Sequence, residues 1–318
     1  MTTPTTDRIS GGGIAFAAGS FLLWGVLPVL FFALRGSGAV EIVAWRIVLS
    51  LVFCALLLTV TRGWRRLGVV VRDRATLLTL VTASGFILVN WLVYVFASIS
   101  GHVVEASLGY FATPVVTVLI GVVVLRERLR LLQWVAIGIS AVAVLVLSVG
   151  YGTFPWIALA LAFSFGLYGL VKKRVGPKAD AISGLTVETA VLAPAALVAL
   201  GVVGATAGLT IGALGPVHTT LMLTLGVATA TPLLLFAAAA RRLPLVYLGL
   251  AQYLTPVLQL LVGVLILHEA MPPERWLGFG IVWIALIVLT VDMFIHSQRP
   301  SPSQPAPTQP TPAPPGAP

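Results

Sequence analysis

The chain has 318 residues, of which 58% are hydrophobic and only 9% are charged. Soluble domains carry roughly 25% charged residues, so the charged side chains here are too few to cover a water-exposed surface. Lipid is therefore the expected solvent for most of the chain. A soluble enzyme and a nucleic-acid-binding domain are excluded, and the single cysteine, Cys54, excludes a disulfide scaffold.

Apolar segments long enough to enter a membrane recur along the whole chain. A membrane-spanning helix needs about 20 mostly apolar residues. We predict ten such helices, over 12–33, 41–61, 75–98, 104–125, 131–150, 155–171, 183–203, 221–240, 244–267 and 274–295. Residues 204–220, rich in Gly, Thr and Pro, are predicted to form a loop.

The basic residues predict the orientation of these helices. With the N-terminus in the cytoplasm, 16 Lys and Arg residues fall on the cytoplasmic side and only Arg35 and Arg275 fall outside. Cytoplasmic loops are expected to carry this excess. The pattern predicts that both termini are cytoplasmic. Residues 1–11 form a short N-terminal tail, and residues 297–318 form a Pro-rich coil.

An internal repeat divides the membrane part into units of 12–150 and 151–296. Sliding residues 108–149 by 142 positions, without gaps, superimposes the rarer residue types: Thr113-Pro114 on Thr255-Pro256, Glu127 on Glu269, and Trp134 on Trp276. Each unit has five helices, an odd number, so the second unit enters the membrane upside down. Inverted repeats of this kind recur in secondary transporters.

Ionisable residues inside the predicted helices are few: Glu41, Arg46, Glu105 and Glu188. Such groups are costly in a membrane, so each is a candidate for pairing or for function. Arg46 is expected to pair with Glu105 or Glu41, either as a structural ion pair or in substrate or proton coupling. The three carboxyl groups are candidate proton carriers.

Polar and aromatic residues form further patterns on the helices. Asn90 and Tyr94 lie one turn apart, and either line a cavity or form interhelical hydrogen bonds. Two repeat-related stripes face either a translocation route or another helix; they are Tyr110, Pro114 and Thr117, and Gln252, Pro256 and Gln259. Trp24 and its repeat mate Tyr168 each precede a glycine and serve either packing or the route. Glu127 and Glu269 are expected to be helix-end charges.

Several motifs resemble the RarD group of the EamA branch of the drug/metabolite transporter superfamily. The most specific is Asn90-Trp91-Leu92-Val93-Tyr94 followed by Glu105-Ala106-Ser107-Leu108-Gly109-Tyr110-Phe111. Others are Trp24-Gly25, Glu41 with Arg46, Pro232-Leu233-Leu234-Leu235-Phe236, and Gln252-Tyr253. The resemblance covers residues 12–292. It implies an all-α polytopic protein of the bacterial inner membrane, with ten transmembrane helices as two inverted five-helix EamA repeats.

These observations favour a secondary transporter that exports a small metabolite or drug-like compound by alternating access. The alternative is a non-transporting membrane scaffold or sensor. An enzyme is not expected, because no catalytic set converges, and neither a cofactor nor a metal site is expected. The expected partners are a small-molecule substrate and the lipid bilayer, with protons and a second copy of the chain as open alternatives. No nucleic acid is expected.

Overall fold

Every regular element in the described part of the chain is helical. The structure, a computed structural model, describes residues 11–125, 131–151, 154–175, 178–240, 242 and 251–297. The helices are α1 (Gly11–Ala33), α2 (Ala39–Val60), α3 (Trp64–Arg72), α4 (Arg74–Ile99), α5 (Val103–Leu125), α6 (Leu131–Tyr151), α7 (Trp156–Val175), α8 (Ala181–Thr206), α9 (Gly215–Ala240), α10 (Leu254–Leu261) and α11 (Pro273–Ser297). A π-helical turn, Val262–Ile266, continues α10.

These helices are those of a multi-pass membrane protein. Helices α1, α2, α4, α8, α9 and α11 are long and apolar enough to cross a bilayer. Shorter apolar stretches lie in α5, α6, α7 and α10. The N-terminal tail, Glu127, the C-terminal tail beyond residue 297 and the first part of the ninth predicted helix (244–250) lie outside the described residues.

The predicted loop over 204–220 is wrong at both ends, because α8 continues to Thr206 and α9 begins at Gly215. Pro216 occupies the first turn of α9, where the missing N–H costs no hydrogen bond. The hydroxyls of Thr219 and Thr220 donate to the carbonyls of Gly215 and Pro216, at 2.9 Å each. The threonine hydroxyls therefore find hydrogen-bond acceptors within the helix, and they do not end it.

The short helix α3 was not predicted by the hydropathy pattern. It carries basic residues on one side and places Val70 among Leu80, Val175 and Val187. Asp73 follows α3 and caps α4, accepting from Ala75 N and from Thr76 N and Oγ1. The Thr76 hydroxyl bond lowers the pKa of Asp73, so the carboxylate stays charged at the positive end of α4.

Small residues let the helices approach closely where they cross. A Cβ added to Gly226 of α9 would lie 2.5 Å from the carbonyl oxygen of Leu49 in α2. A Cβ on Gly109 of α5 would lie 2.6 Å from the carbonyl oxygen of Ala158 in α7. Close backbone approach is a main source of helix association in lipid, where no hydrophobic force distinguishes one helix from the surrounding tails.

The largest core cluster lies where α1, α2, α4, α7, α8 and α9 meet. Its fully buried side chains include Phe31, Ile42, Val95, Leu161 and Met222. Residues of both sequence repeats thus contribute to one interior, and the polar residues described below are embedded in it.

Replacing Gly226 with Ala should lower the stability of the protein. The added methyl cannot avoid the Leu49 backbone, so α2 and α9 must move apart, at a cost of about 1–3 kcal/mol. Thermal unfolding in detergent measures the effect. The matched control is Gly201→Ala in α8, where nothing lies within 4 Å of the added methyl. Equal melting temperatures for the two variants would contradict the close crossing.

Candidate functional site

The guanidinium group of Arg46 lies at the centre of the buried polar residues. Arg46 is 4% exposed, and its Nε donates to the hydroxyl of Thr229 at 2.8 Å. Its guanidinium carbon lies 4.4 Å from the ring centre of Trp91 and 5.5 Å from that of Phe31. Aromatic faces attract a desolvated cation, so these rings supply part of the stabilisation that water would give.

The predicted ion pair of Arg46 with Glu41 or Glu105 is wrong. Among the described residues, no carboxylate lies within ion-pair distance of Arg46. Glu41 and Glu105 bind backbone amides instead: the amide of Thr210 and the amide of Ile157. The reason is that each carboxylate lies beside unpaired N–H donors of a loop or helix start, which compete for it at closer range.

Asn90, Tyr94 and Tyr110 form one hydrogen-bonded and stacked group beside Arg46. The Tyr110 hydroxyl donates to Asn90 Oδ1 at 3.1 Å, and Asn90 Nδ2 donates to the Ser164 hydroxyl at 3.1 Å. The rings of Tyr94 and Tyr110 meet edge to face with centroids 5.5 Å apart. Gln259 Nε2 donates to the Tyr94 hydroxyl at 2.9 Å.

These contacts join the two repeats of the chain. Arg46, Asn90 and Tyr94 belong to the first repeat, whereas Thr229 and Gln259 belong to the second. We call the set of Arg46, Asn90, Tyr94, Tyr110, Ser164, Thr229 and Gln259 the central polar cluster. Asn90 and Tyr94 form interhelical hydrogen bonds, which is the second of their two alternatives; that they also line a cavity stays a prediction.

The other predicted site residues surround this cluster to different extents. The Trp24 carbonyl accepts from Gln259 Nε2 at 3.4 Å, and the Trp24 ring contacts Phe236. Pro256 is buried one turn before Gln259, and Gln252 and Pro114 are half-buried. Tyr253 packs instead against the separate core around Phe279. The stripe of Gln252, Pro256 and Gln259 thus reaches the central polar cluster through Gln259, whereas Tyr253 packs in the other core.

Glu41 ends a buried chain of hydrogen bonds that was not predicted. Glu41 Oε1 accepts from the Thr210 amide at 2.8 Å and from its hydroxyl at 2.9 Å. The Thr210 hydroxyl contacts the Ser37 hydroxyl at 2.5 Å, which contacts His218 Nε2 at 2.9 Å. Since the Thr210 proton points to Glu41, Ser37 donates to Thr210 and the imidazole donates to Ser37. We call this set the Glu41–His218 chain.

Two further carboxylates hold the beginning of a helix from the other repeat. Glu269 accepts from the amides of Val103 and Val104 at 2.6 and 2.8 Å, which caps α5. Glu105 accepts from the amide of Ile157 at 3.2 Å, which caps α7. Glu269 was expected only to be a helix-end charge. In the structure, Glu269 and Glu105 each bind the N-terminal end of a helix from the other repeat, where the helix dipole favours an anion.

Glu188 lies apart from the central polar cluster and has a cationic partner. It is 1% exposed and accepts from Lys172 Nζ at 2.7 Å and from the Tyr168 hydroxyl at 3.2 Å. All three residues belong to the second repeat. Tyr168, the repeat mate of Trp24, therefore anchors this ion pair rather than the cluster.

Sequence reasoning missed several polar residues that the structure buries. Thr229, Ser164 and His218 are all less than 10% exposed, and Asp292 of α11 is 1% exposed. The rule that selected Glu41 and Arg46 would also have selected Asp292, which lies in an apolar run. Nothing in the sequence marks Thr229 as the partner of Arg46, because threonine is common in membrane helices.

Known proteins resemble this chain over nearly its whole length. A sequence profile of the EamA-like transporter family matches residues 11–149. Protein RarD of Streptomyces exfoliatus is 47% identical over 90% of both chains. The chain belongs to the EamA-like transporter family. Within it, the chain belongs to the RarD group, since Escherichia coli (strain K12) Protein RarD is also 34% identical over 90% of this chain and 96% of its own.

Further comparisons agree with this EamA assignment. An uncharacterized transporter of Bacillus subtilis (strain 168), YojE, is 42% identical over 87% of this chain and 93% of its own. One crystal structure covers 89% of this chain and 97% of its own with a TM-score of 0.59 at 16% identity, and it shares the fold. The protein is therefore a multi-pass bacterial membrane protein of the drug/metabolite transporter superfamily.

In this EamA protein, Asn90 and Tyr110 should be energetically coupled. A double-mutant cycle with Asn90→Leu and Tyr110→Phe should give a coupling of about 0.6 kcal/mol and at most about 1.7 kcal/mol, the range for interhelical hydrogen bonds in membranes. The measurement is reversible unfolding in mixed micelles. The control cycle pairs Asn90→Leu with Thr79→Val, about 16 Å away along α4, and should give no coupling. Equal values in both cycles would show that the hydrogen bond contributes nothing.

Proposed function

We propose that this protein is a secondary transporter that exports a small metabolite or drug-like compound across the bacterial inner membrane by alternating access. The observation that carries the proposal is the central polar cluster, which both repeats build and which the lipid solvent alone would disfavour. The transporter names of the relatives do not favour the scaffold or sensor alternative. No enzymatic activity is proposed.

Ten crossings arranged as two inverted repeats are part of this proposal, and matching contacts support them. The hydroxyl of Ser20 donates to the carbonyl of Pro232 at 2.7 Å, and the amide of Asn90 donates to the hydroxyl of Ser164 at 3.1 Å. A shift of 144 residues takes Ser20 to Ser164, and one of 142 takes Asn90 to Pro232. Equivalent pairs of positions are thus hydrogen-bonded between the repeats in both directions, with the serine as donor in one contact and as acceptor in the other.

With both termini in the cytoplasm, three carboxylate contacts lie at the outer face. Glu41 holds the loop between α8 and α9, Glu105 holds the start of α7, and Glu269 holds the start of α5. Each contact joins one repeat to the other. We call them the outer clasps, and we propose that they keep the outer face closed while the inner face opens.

Cysteine labelling tests alternating access. In a Cys54→Ala background, Tyr110→Cys and Gln252→Cys should react with a membrane-impermeant thiol reagent from either side of proteoliposomes, because each compartment reaches the route in turn. Glu269→Gln should raise the labelling rate from outside, since the neutral side chain binds the α5 amides less strongly.

A lipid-facing position provides the matched control. Ile284 is 53% exposed in the middle of α11, and Ile284→Cys should stay unlabelled by the aqueous reagent. Failure of Tyr110→Cys and Gln252→Cys to label from both sides would favour the scaffold or sensor. Labelling from one side only would indicate a fixed vestibule and would contradict alternating access.

We further propose that protons drive the cycle through Glu41. This carboxylate is 2% exposed, ends the Glu41–His218 chain and forms an outer clasp. Protonation removes the negative charge that holds the Thr210 amide, so the outer face should open more often as the external pH falls. Glu105 forms a comparable clasp with His102 and Arg275 among its charged or titratable neighbours, and Glu188 is paired with Lys172.

The pH dependence of labelling tests this coupling. The measured quantity is the external labelling rate of Gln252→Cys divided by that of Ala207→Cys, an exposed loop position. The division removes the effect of the thiol's own titration on the rate. This ratio should rise as the external pH falls. In Glu41→Gln this rise should be smaller, because glutamine cannot take up the proton whereas the carboxylates of Glu105 and Glu269 still can. A rise of unchanged size in Glu41→Gln would exclude Glu41 as the coupling group.

A further inference from the structure

Most of the hydrogen-bonding capacity of Arg46 is unused. Only Nε has a hydrogen-bond partner among the described residues; Nη1 is buried without one, and Nη2 makes none. A guanidinium group has five N–H donors in a rigid fork. Four of them, on the two terminal nitrogens, are therefore available to a ligand.

Thr229 fixes the direction of this fork. Its hydroxyl donates to the carbonyl of Leu225 at 2.7 Å, so it can only accept from Arg46. The guanidinium carbon lies over the ring of Trp91, 4.4 Å from the ring centre. With Nε bonded to Thr229 and the guanidinium carbon packed over this ring, the two terminal nitrogens have little freedom to turn elsewhere.

The three carboxylates that the sequence places inside membrane helices are engaged elsewhere. Glu41 binds Thr210, Glu105 binds the α7 amides, and Glu188 binds Lys172. The aromatic rings reduce the cost of burying the cation without cancelling its charge. A buried cation without a counter-charge is unfavourable, and a ligand that brings one is bound preferentially.

We infer that the transported substrate is a small organic anion, whose carboxylate or similar two-oxygen acidic group binds side by side to the two terminal nitrogens of Arg46. Arginine forms parallel hydrogen bonds with two oxygens of one acidic group, which gives both strength and direction. The rings of Tyr94 and Tyr110 lie in the same cluster, and offer apolar surface to the body of such a ligand. This inference rests on the proposed transport function and specifies its substrate class.

The test compares acids with their uncharged amides on the purified full-length protein in detergent. The probes are acetate, phenylacetate and indole-3-acetate, each paired with its primary amide, and binding is measured by calorimetry. At least one acid should bind about tenfold more tightly than its amide, because a charge-assisted pair replaces a neutral hydrogen bond. Amides that bind as tightly as the acids, or no binding by any acid, would overturn the inference.

Variants of Arg46 separate charge from packing. Arg46→Gln should lose the preference for acids and retain amide binding. Arg46→Lys should keep part of the preference, since the charge remains while the fork is lost. An acid preference that survives in a folded Arg46→Gln protein would also overturn the inference. The acid-to-amide ratio of the unmodified protein decides the question if these variants do not fold.

The outcome is separable from that of the transport proposal. Two-sided cysteine labelling together with equal binding of acids and amides would remove the substrate class and leave the transporter. Acid-selective binding together with one-sided or absent labelling would leave an anion-binding site and remove alternating access.

Discussion

Hydrocarbon cannot hydrogen-bond, so each polar group that enters the membrane needs a partner inside the protein. Arg46 is the residue on which this requirement falls most heavily, because it is a cation in the interior of the helix assembly. Its partners come from other helices: Phe31 from α1, Trp91 from α4 and Thr229 from α9. The two repeats therefore have to dock on one another before Arg46 is accommodated. The side chains of the candidate binding site therefore come together only in the folded protein.

The carboxylates bind other partners than the one that sequence reasoning predicted for them. Glu41 and Glu105 were paired with Arg46 because opposite charges at similar depth attract. In the structure each carboxylate is closer to unpaired backbone amides, at the α8–α9 loop and at the start of α7. These donors exist only where helices end, so their positions depend on the tertiary arrangement. A residue pattern alone cannot show which helix end will lie beside which carboxylate.

The sequence predicted the helices and much of the site, and its failures have identifiable causes. Apolar length located the membrane helices, and one-turn spacing placed Asn90 and Tyr94 on one helix face. Their contacts with Tyr110 on the next helix were not predicted. The amphipathic helix α3 was missed because its apolar content is too low for a hydropathy criterion. The early start of α9 was missed because Gly and Pro were taken as loop signals. The role of Thr229 depends on the docking of α9 on α2, to which no local pattern is sensitive.

Arg46 and Glu41 have separate roles in the proposed transport cycle, substrate binding and control of opening. An arginine keeps its charge at all physiological pH values, so Arg46 can bind an anion but cannot itself carry a proton. An anion leaving an inside-negative cell gains about 2.3 kcal/mol per 100 mV for each charge that crosses. In the proposed cycle this gain adds to the proton gradient, and both are used only if the two faces open in turn, because an unclasped protein would leak. The proposed control of that opening is a titratable group at the outer face. With both termini in the cytoplasm, as proposed, the Glu41–His218 chain lies at the outer face. It joins α2 to the α8–α9 loop and to the first turn of α9, and Thr229 of the same α9 accepts the hydrogen bond from Arg46.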